Sequence, residues 1–287
     1  MGQSNLAVEE PPPLQTPQNP SRKPTPAWRL FLAFAWTELL CCIFPLGVFA
    51  SLAMSKFVHI PGLPRYDFIL ICCLLIQWAM VKSRLETIKE LKVICVFHLI
   101  GLAMELFKTH VGSWSYPEFA YTKVSTAPLY SGFMYASVAS YMCQAWRRFD
   151  LKMLRMPADW LMLSLAAGIY ANFFTNHYIM DFRWFLGAGV FAAFWRTRVE
   201  FDLMERRLGM PMSVAFLLIG FFVWVAENIA TYFSAWQYPR QVHAWSLVEG
   251  QKISSWALLV IISFVLVAWL KRGGAPRPEN PPHGYPA

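Results

Sequence analysis

Glu105-Leu106-Phe107-Lys108-Thr109-His110-Val111-Gly112-Ser113-Trp114-Ser115-Tyr116-Pro117 and Glu227-Asn228-Ile229-Ala230-Thr231-Tyr232-Phe233-Ser234-Ala235-Trp236-Gln237-Tyr238-Pro239 follow one pattern: Glu, three residues, Thr, four residues, then Trp-x-Tyr-Pro. A second pair lies upstream. Asp67-Phe68, thirteen residues and Lys82-Ser83-Arg84-Leu85-Glu86 are echoed by Asp181-Phe182, thirteen residues and Arg196-Thr197-Arg198-Val199-Glu200. Both matches keep chain order, at offsets of 122 and 114, so one insertion in the second copy reconciles them. The chain reads as a duplicated half.

Composition places those halves in a bilayer. The 287 residues are 56% hydrophobic and only 15% charged, too apolar for one water-soluble core. Eight apolar segments run over residues 28–54, 68–81, 91–107, 125–146, 160–174, 184–195, 212–233 and 254–270. The expected fold is an all-α polytopic bundle of about eight transmembrane helices, a parallel 4+4 repeat with halves 28–150 and 151–272 between disordered tails 1–27 and 273–287. The second and sixth segments fall short of the roughly 20 residues that span a bilayer. They occupy equivalent places in the two copies, where snorkelling Lys82 and Arg196 lengthen the reach. The first apolar run is too long and too far from Met1 for a cleaved signal, so it is expected to be the first helix.

Basic residues set the expected orientation. With both termini cytoplasmic, the inner segments hold 18 of the 25 Lys and Arg and the outer ones 7, the asymmetry of a bacterial cytoplasmic (inner) membrane protein. The net charge of +8 is then a topology signal and speaks against nucleic acid as a partner. Cys41, Cys42, Cys72, Cys73, Cys95 and Cys143 all fall in the first four segments without a C-x-x-C pair, as small hydrophobes do. Lys82 with Glu86 and Arg196 with Glu200 are spaced i,i+4 and predict anchoring pairs on helices that continue into water.

The acids carry the chemistry. Glu105 and Glu227 lie near the outer ends of the third and seventh helices, and Asp67 and Asp181 begin the second and sixth. A carboxyl within a span is costly without a partner, a proton or water. The functional reading makes Glu105 and Glu227 acid–base catalytic groups, with Asp67, Trp114, Tyr116, Asp181, Trp236 and Tyr238 forming a substrate site. Aromatic faces beside an acid also stabilise a developing cation. The structural reading makes the glutamates helix–helix locks, the aspartates N-caps and the aromatics an interfacial belt. Glu38 lacks a repeat counterpart and ranks lower. His98 is two turns from Glu105, and neither it, His110 nor His243 has metal-ligand spacing, so no metal and no cofactor is expected.

The run Phe222 to Thr231, then Ala235-Trp236-Gln237-Tyr238-Pro239 and Lys252-Ile253-Ser254-Ser255-Trp256, together with Glu105 to Pro117, resembles the bacterial integral membrane proteins of domain-of-unknown-function family 817 over about residues 30 to 272. That resemblance implies a multi-pass membrane protein and brings no activity with it. A fainter similarity links the Glu, Gly112 and Trp-x-Tyr region to membrane carotenoid hydratases and cyclases, where acids and aromatics act on polyenes. Three functions follow: a non-redox enzyme acting on an apolar lipid or isoprenoid, a proton- or cation-coupled small-solute transporter, and a membrane scaffold. The first is favoured, because acids clustered on one side fit a midplane relay poorly.

Overall fold

The computed structural model describes residues 26–273, and the expected tails lie almost wholly outside the described residues. Among the described residues there are nine α-helices: α1 (Ala27–Cys41), α2 (Ile43–Met54), α3 (Arg65–Lys82), α4 (Ile88–His110), α5 (Ser131–Arg148), α6 (Asp159–Thr175), α7 (Arg183–Phe194), α8 (Met212–Tyr232) and α9 (Lys252–Gly273). Each apolar segment of the sequence carries one helix, except the first, which carries two. Pro45 explains the exception: it has no N–H to give the carbonyl four residues back, and its ring crowds that carbonyl, so the chain bends by 65° between α1 and α2.

By length and composition, α8 and α9 are each able to cross a membrane, and the bent α1–α2 pair makes a third candidate. By the same measure the other expected spans do not stand out, for physical reasons. Arg65, Asp67 and Lys82 lie within α3, and Lys89, Glu90, Lys92, Glu105 and Lys108 within α4. Helix α5 carries three Ser, two Tyr, Gln144 and a terminal Arg pair, while α7, at 12 residues, extends only about 18 Å. Large apolar side chains face outward all the same, among them Trp36, Leu75, Trp78, Leu217 and Phe222, a surface suited to lipid rather than water.

Helices α5 and α9 form the interior. Helix α5 packs on α1, α2, α4 and α9, and α9 also packs on α6, α7 and α8. Small residues permit the closest crossings. A Cβ on Gly220 would come 2.8 Å from the Ala257 backbone of α9, and one on Gly101 would come 2.3 Å from the Tyr135 ring of α5.

Two small sheets complete the chain. Strands β1 (Lys123–Val124) and β2 (Ala127–Pro128) form a hairpin before α5. Strands β3 (Lys152–Leu154), β4 (Arg198–Leu203) and β5 (Arg206–Pro211) form an antiparallel sheet in the order β3-β4-β5. Val199, Phe201 and Leu203 point inward from β4 while Arg198 and Asp202 face out. The turn residues Met204 and Glu205 both have positive φ, at 49° and 61°, as a two-residue hairpin of the primed type requires.

This sheet corrects the expected helical pair Arg196–Glu200, because the alternation Val-x-Phe-x-Leu has a period of two and buries as a strand. The other pair fails differently. Lys82 ends α3, and Glu86 turns inward at 2% exposure, accepting Gln77 Nε2 at 2.5 Å and the Ser140 hydroxyl. Burial pushes the Glu86 carboxyl above its usual range against those two bonds.

The expected N-caps are also corrected. Asp67 lies inside the first turn of α3, whose cap position is Pro64, and Asp181 precedes Phe182 at the cap of α7.

Candidate functional site

The turns after α4 and α8 have the same construction. Gly112 N–H bonds to the Thr109 carbonyl and Ser113 N–H to Lys108, as Ser234 N–H bonds to Thr231 and Ala235 N–H to Ala230. Gly112 and Ser234 both adopt left-handed backbone, with φ of 75° and 54°, the form that closes a helix C-terminus. Each turn delivers a Trp-x-Tyr-Pro segment to the same end of the bundle. There the two segments pair, with Ser115 and Gln237 exchanging both backbone hydrogen bonds at 2.9 Å.

The pairing directs aromatic donors at two buried acids. Glu105 is 3% exposed and accepts Trp114 Nε1 at 2.7 Å and the Tyr116 hydroxyl at 2.8 Å on Oε2, and the Tyr135 hydroxyl at 2.8 Å on Oε1. Glu227, also 3% exposed, accepts the Tyr238 hydroxyl at 2.5 Å and Trp256 Nε1 at 2.6 Å. The Trp114 and Tyr238 rings meet edge to face, 6.0 Å apart. Each carboxyl therefore sits in a cradle of phenol and indole donors, on a helix that cannot hydrate it.

Sequence spacing brought out Trp114, Tyr116 and Tyr238 as companions of the acids, and the structure places them there. Trp236 lines an apolar cavity together with both glutamates, but the indole that bonds to Glu227 belongs to Trp256. Tyr135, Trp256 and Gly101 carry no repeat signal. Tyr135 and Trp256 reach the acids from the next helix, and Gly101 leaves the space that admits the Tyr135 ring.

The aspartates are placed elsewhere. Asp67 accepts Tyr121 N–H at 2.7 Å, Thr122 N–H at 2.9 Å and the Thr122 hydroxyl at 2.5 Å, so it pins the loop that follows Tyr116. Asp181 accepts Asn172 Nδ2 at 3.0 Å, Arg183 N–H at 2.9 Å and Arg183 Nε at 2.6 Å. Partial burial opposes its charge, but Asn172 and Arg183 outweigh that and hold the carboxyl below its usual range. Neither aspartate lines the cavity.

That cavity has a volume of about 750 Å³. Glu105, Glu227, Trp114, Tyr135, Tyr238 and Trp256 form one end, with Tyr116 behind them outside the lining, and Val199, Phe201 and Met210 of the three-stranded sheet lie at the other. Glu38, whose carboxylate accepts the Tyr141 hydroxyl at 3.1 Å, joins the wall between them. The rest is apolar, with Met134, Met142, Phe216 and Phe264 among the lining residues. Phe31, Leu39 and Leu46 of α1 and α2, and Leu218, Phe222 and Ile229 of α8, line the cavity while staying exposed, so it opens sideways between those helices. Among the described residues no three His, Cys, Asp or Glu side chains converge as a metal-ligand group.

A family described as protein of unknown function (DUF817) matches residues 30–264. The chain belongs to this family. A relative is the uncharacterized protein YoaT of Bacillus subtilis (strain 168), 56% identical over 239 residues that cover 83% of this chain and 90% of that protein. No solved structure matches the chain. The DUF817 match takes in both Trp-x-Tyr-Pro segments, both glutamates and Trp256.

Proposed function

We propose that this chain is a multi-pass inner-membrane protein that admits an apolar lipid or isoprenoid sideways into its cavity and acts on it by acid–base chemistry at Glu105 and Glu227. The observation that carries the reading is that both carboxyls, with Trp114, Tyr135, Tyr238 and Trp256, stand at the same end of one laterally open apolar cavity. A carboxylic acid that protonates an alkene and a carboxylate that removes a proton from a neighbouring carbon together make a redox-neutral isomerisation. The faces of Trp114, Trp236 and Tyr238 stabilise the cationic carbon between the two transfers.

The same proposal keeps eight spans, both termini in the cytoplasm and a parallel duplication. Matching turns at Gly112 and Ser234, matching Glu–Tyr bonds and the packing of α4 on α5 and α8 on α9 support it. The end of the bundle that carries the Trp-x-Tyr-Pro segments is then the outer one, and the basic sheet containing Lys152, Arg198, Arg206 and Arg207 the inner one. A second reading, a proton-coupled transporter of a small solute, is favoured by the break at Cys42, since interrupted helices mark transporter sites.

Mass spectrometry of lipids that co-purify with the native protein and with Glu105→Gln/Glu227→Gln tests the first reading. A specific isoprenoid or lipid that is chemically altered only by the native protein is the expected result. Bulk membrane lipid alone in both sends the question to proton flux in liposomes.

A further inference from the structure

Beyond the paired glutamates, on the loop side of Trp114 and Tyr238, lies a cluster of cations that the acid–base reading does not use. Lys108, at the end of α4, is 6% exposed. Its ammonium donates to His177 Nε2 at 2.9 Å and to Asn176 Oδ1 at 3.3 Å, both neutral acceptors. The Lys252 ammonium lies 5.0 Å from the centre of the Tyr238 ring and 5.9 Å from that of Trp114. The Ser113 hydroxyl adds a polar group 3.3 Å from His177 Nε2.

The acids nearby are engaged. Asp181 is held by Arg183 at 2.6 Å, Glu249 by Arg240 at 2.7 Å, and Glu227 by Tyr238 and Trp256. Among the described residues no carboxylate lies within 4.0 Å of either ammonium. A buried ammonium with no carboxylate in contact is costly. Lys108 is buried and Lys252 half-buried, and with the exposed His177 they make a positive spot on which Asp181, Glu227 and Glu249 act only from beyond contact distance. Partial burial, then Lys108 and Lys252, hold the His177 ring below its usual range, in keeping with a neutral ring whose Nε2 accepts from Lys108.

We propose that Lys108, Lys252 and His177, with the Ser113 hydroxyl, bind an oxoanion, a phosphate monoester being the chemistry that fits. Two ammonium donors and a hydroxyl match the several acceptor oxygens of that group. The anion comes either from the headgroup of the lipid whose chain enters the cavity, which rests on the function proposed above, or from free phosphate. The anion site itself does not depend on that reading.

The test uses the full-length protein in an uncharged detergent, with inorganic phosphate and dodecyl phosphate as probes and with thermal unfolding and tryptophan fluorescence as readouts. Binding by the native protein, weakened by roughly tenfold or more in Lys252→Gln and in Lys108→Gln, is expected. Lys252→Gln and His177→Gln alter groups at the exposed rim, so they keep the test valid where Lys108→Gln fails to fold. Preference for dodecyl phosphate supports both the site and the lipid reading. Equal binding of the two probes, still lost in the variants, supports the site and counts against the lipid reading. No binding of either probe by the native protein, or binding unchanged in every folded variant, overturns the proposal.

Discussion

Ser115 and Gln237 are 122 residues apart in the chain and exchange both of their backbone hydrogen bonds at 2.9 Å. They are the variable residues of the two Trp-x-Tyr-Pro segments, so each copy of the motif holds the other in register. The pairing lets one short stretch aim a Trp and a Tyr from each segment at the same small region, which a single interfacial belt does not need.

Glu105→Gln is expected to fold and Glu105→Ala to fold poorly. A glutamine can present its oxygen to Trp114 and Tyr116 while the Tyr135 hydroxyl rotates to accept from the amide. Alanine leaves those donors without an acceptor, at about 1–3 kcal/mol for each. Thermal unfolding in detergent separates the two outcomes; a Gln variant as unstable as the Ala variant contradicts this account.

Gly101→Ala is expected to act through Tyr135. Its added methyl would sit 2.3 Å from the ring and drive it off Glu105, at a cost of about 1–3 kcal/mol. In a double-mutant cycle with Tyr135→Phe the two losses should fall short of their sum, whereas simple additivity places the damage elsewhere.

Gly112→Ala should cost about 1 kcal/mol, because only glycine adopts a φ of 75° without a side-chain penalty. Equal melting temperatures for the two proteins would show that the turn tolerates the added methyl.

Glu86 gives a pH signature. Its folded carboxyl is raised above the ordinary 4.5 by burial, against the bonds from Ser140 and Gln77, so the folded state binds more protons than the unfolded state. Its contribution is fully present below 4.5 and is lost as pH rises through the folded value. The native protein should therefore lose stability relative to Glu86→Gln as pH increases from acid toward neutral. A gap that stays constant, or runs the other way, means that Glu86 keeps its charge in the fold.

What the sequence revealed follows the range of its signals. Glu105, Trp114 and Tyr116 lie within twelve residues of each other, and their spacing repeats at Glu227, Trp236 and Tyr238, so local pattern exposes them. Tyr135 and Trp256 meet the acids only through packing of the next helix, and no spacing announces a contact across 29 or 30 residues. Helix α8 was legible from its apolar length, whereas β4 was hidden because Arg198, Glu200 and Asp202 also suit a charged helix, and only the burial of the alternate residues decides. Asp67 and Asp181 match by position, yet Asp67 bonds to a loop and Asp181 to the end of α6 and the start of α7, and neither faces the cavity.

The mouth between α1–α2 and α8 faces sideways, and that choice of direction governs how a guest is counted. For a ligand arriving there through the bilayer, the relevant concentration is its mole fraction among the surrounding lipids. Under the proposed lipid chemistry, diluting it with inert lipid at constant volume should slow turnover, while diluting the whole suspension with buffer should leave turnover per protein unchanged.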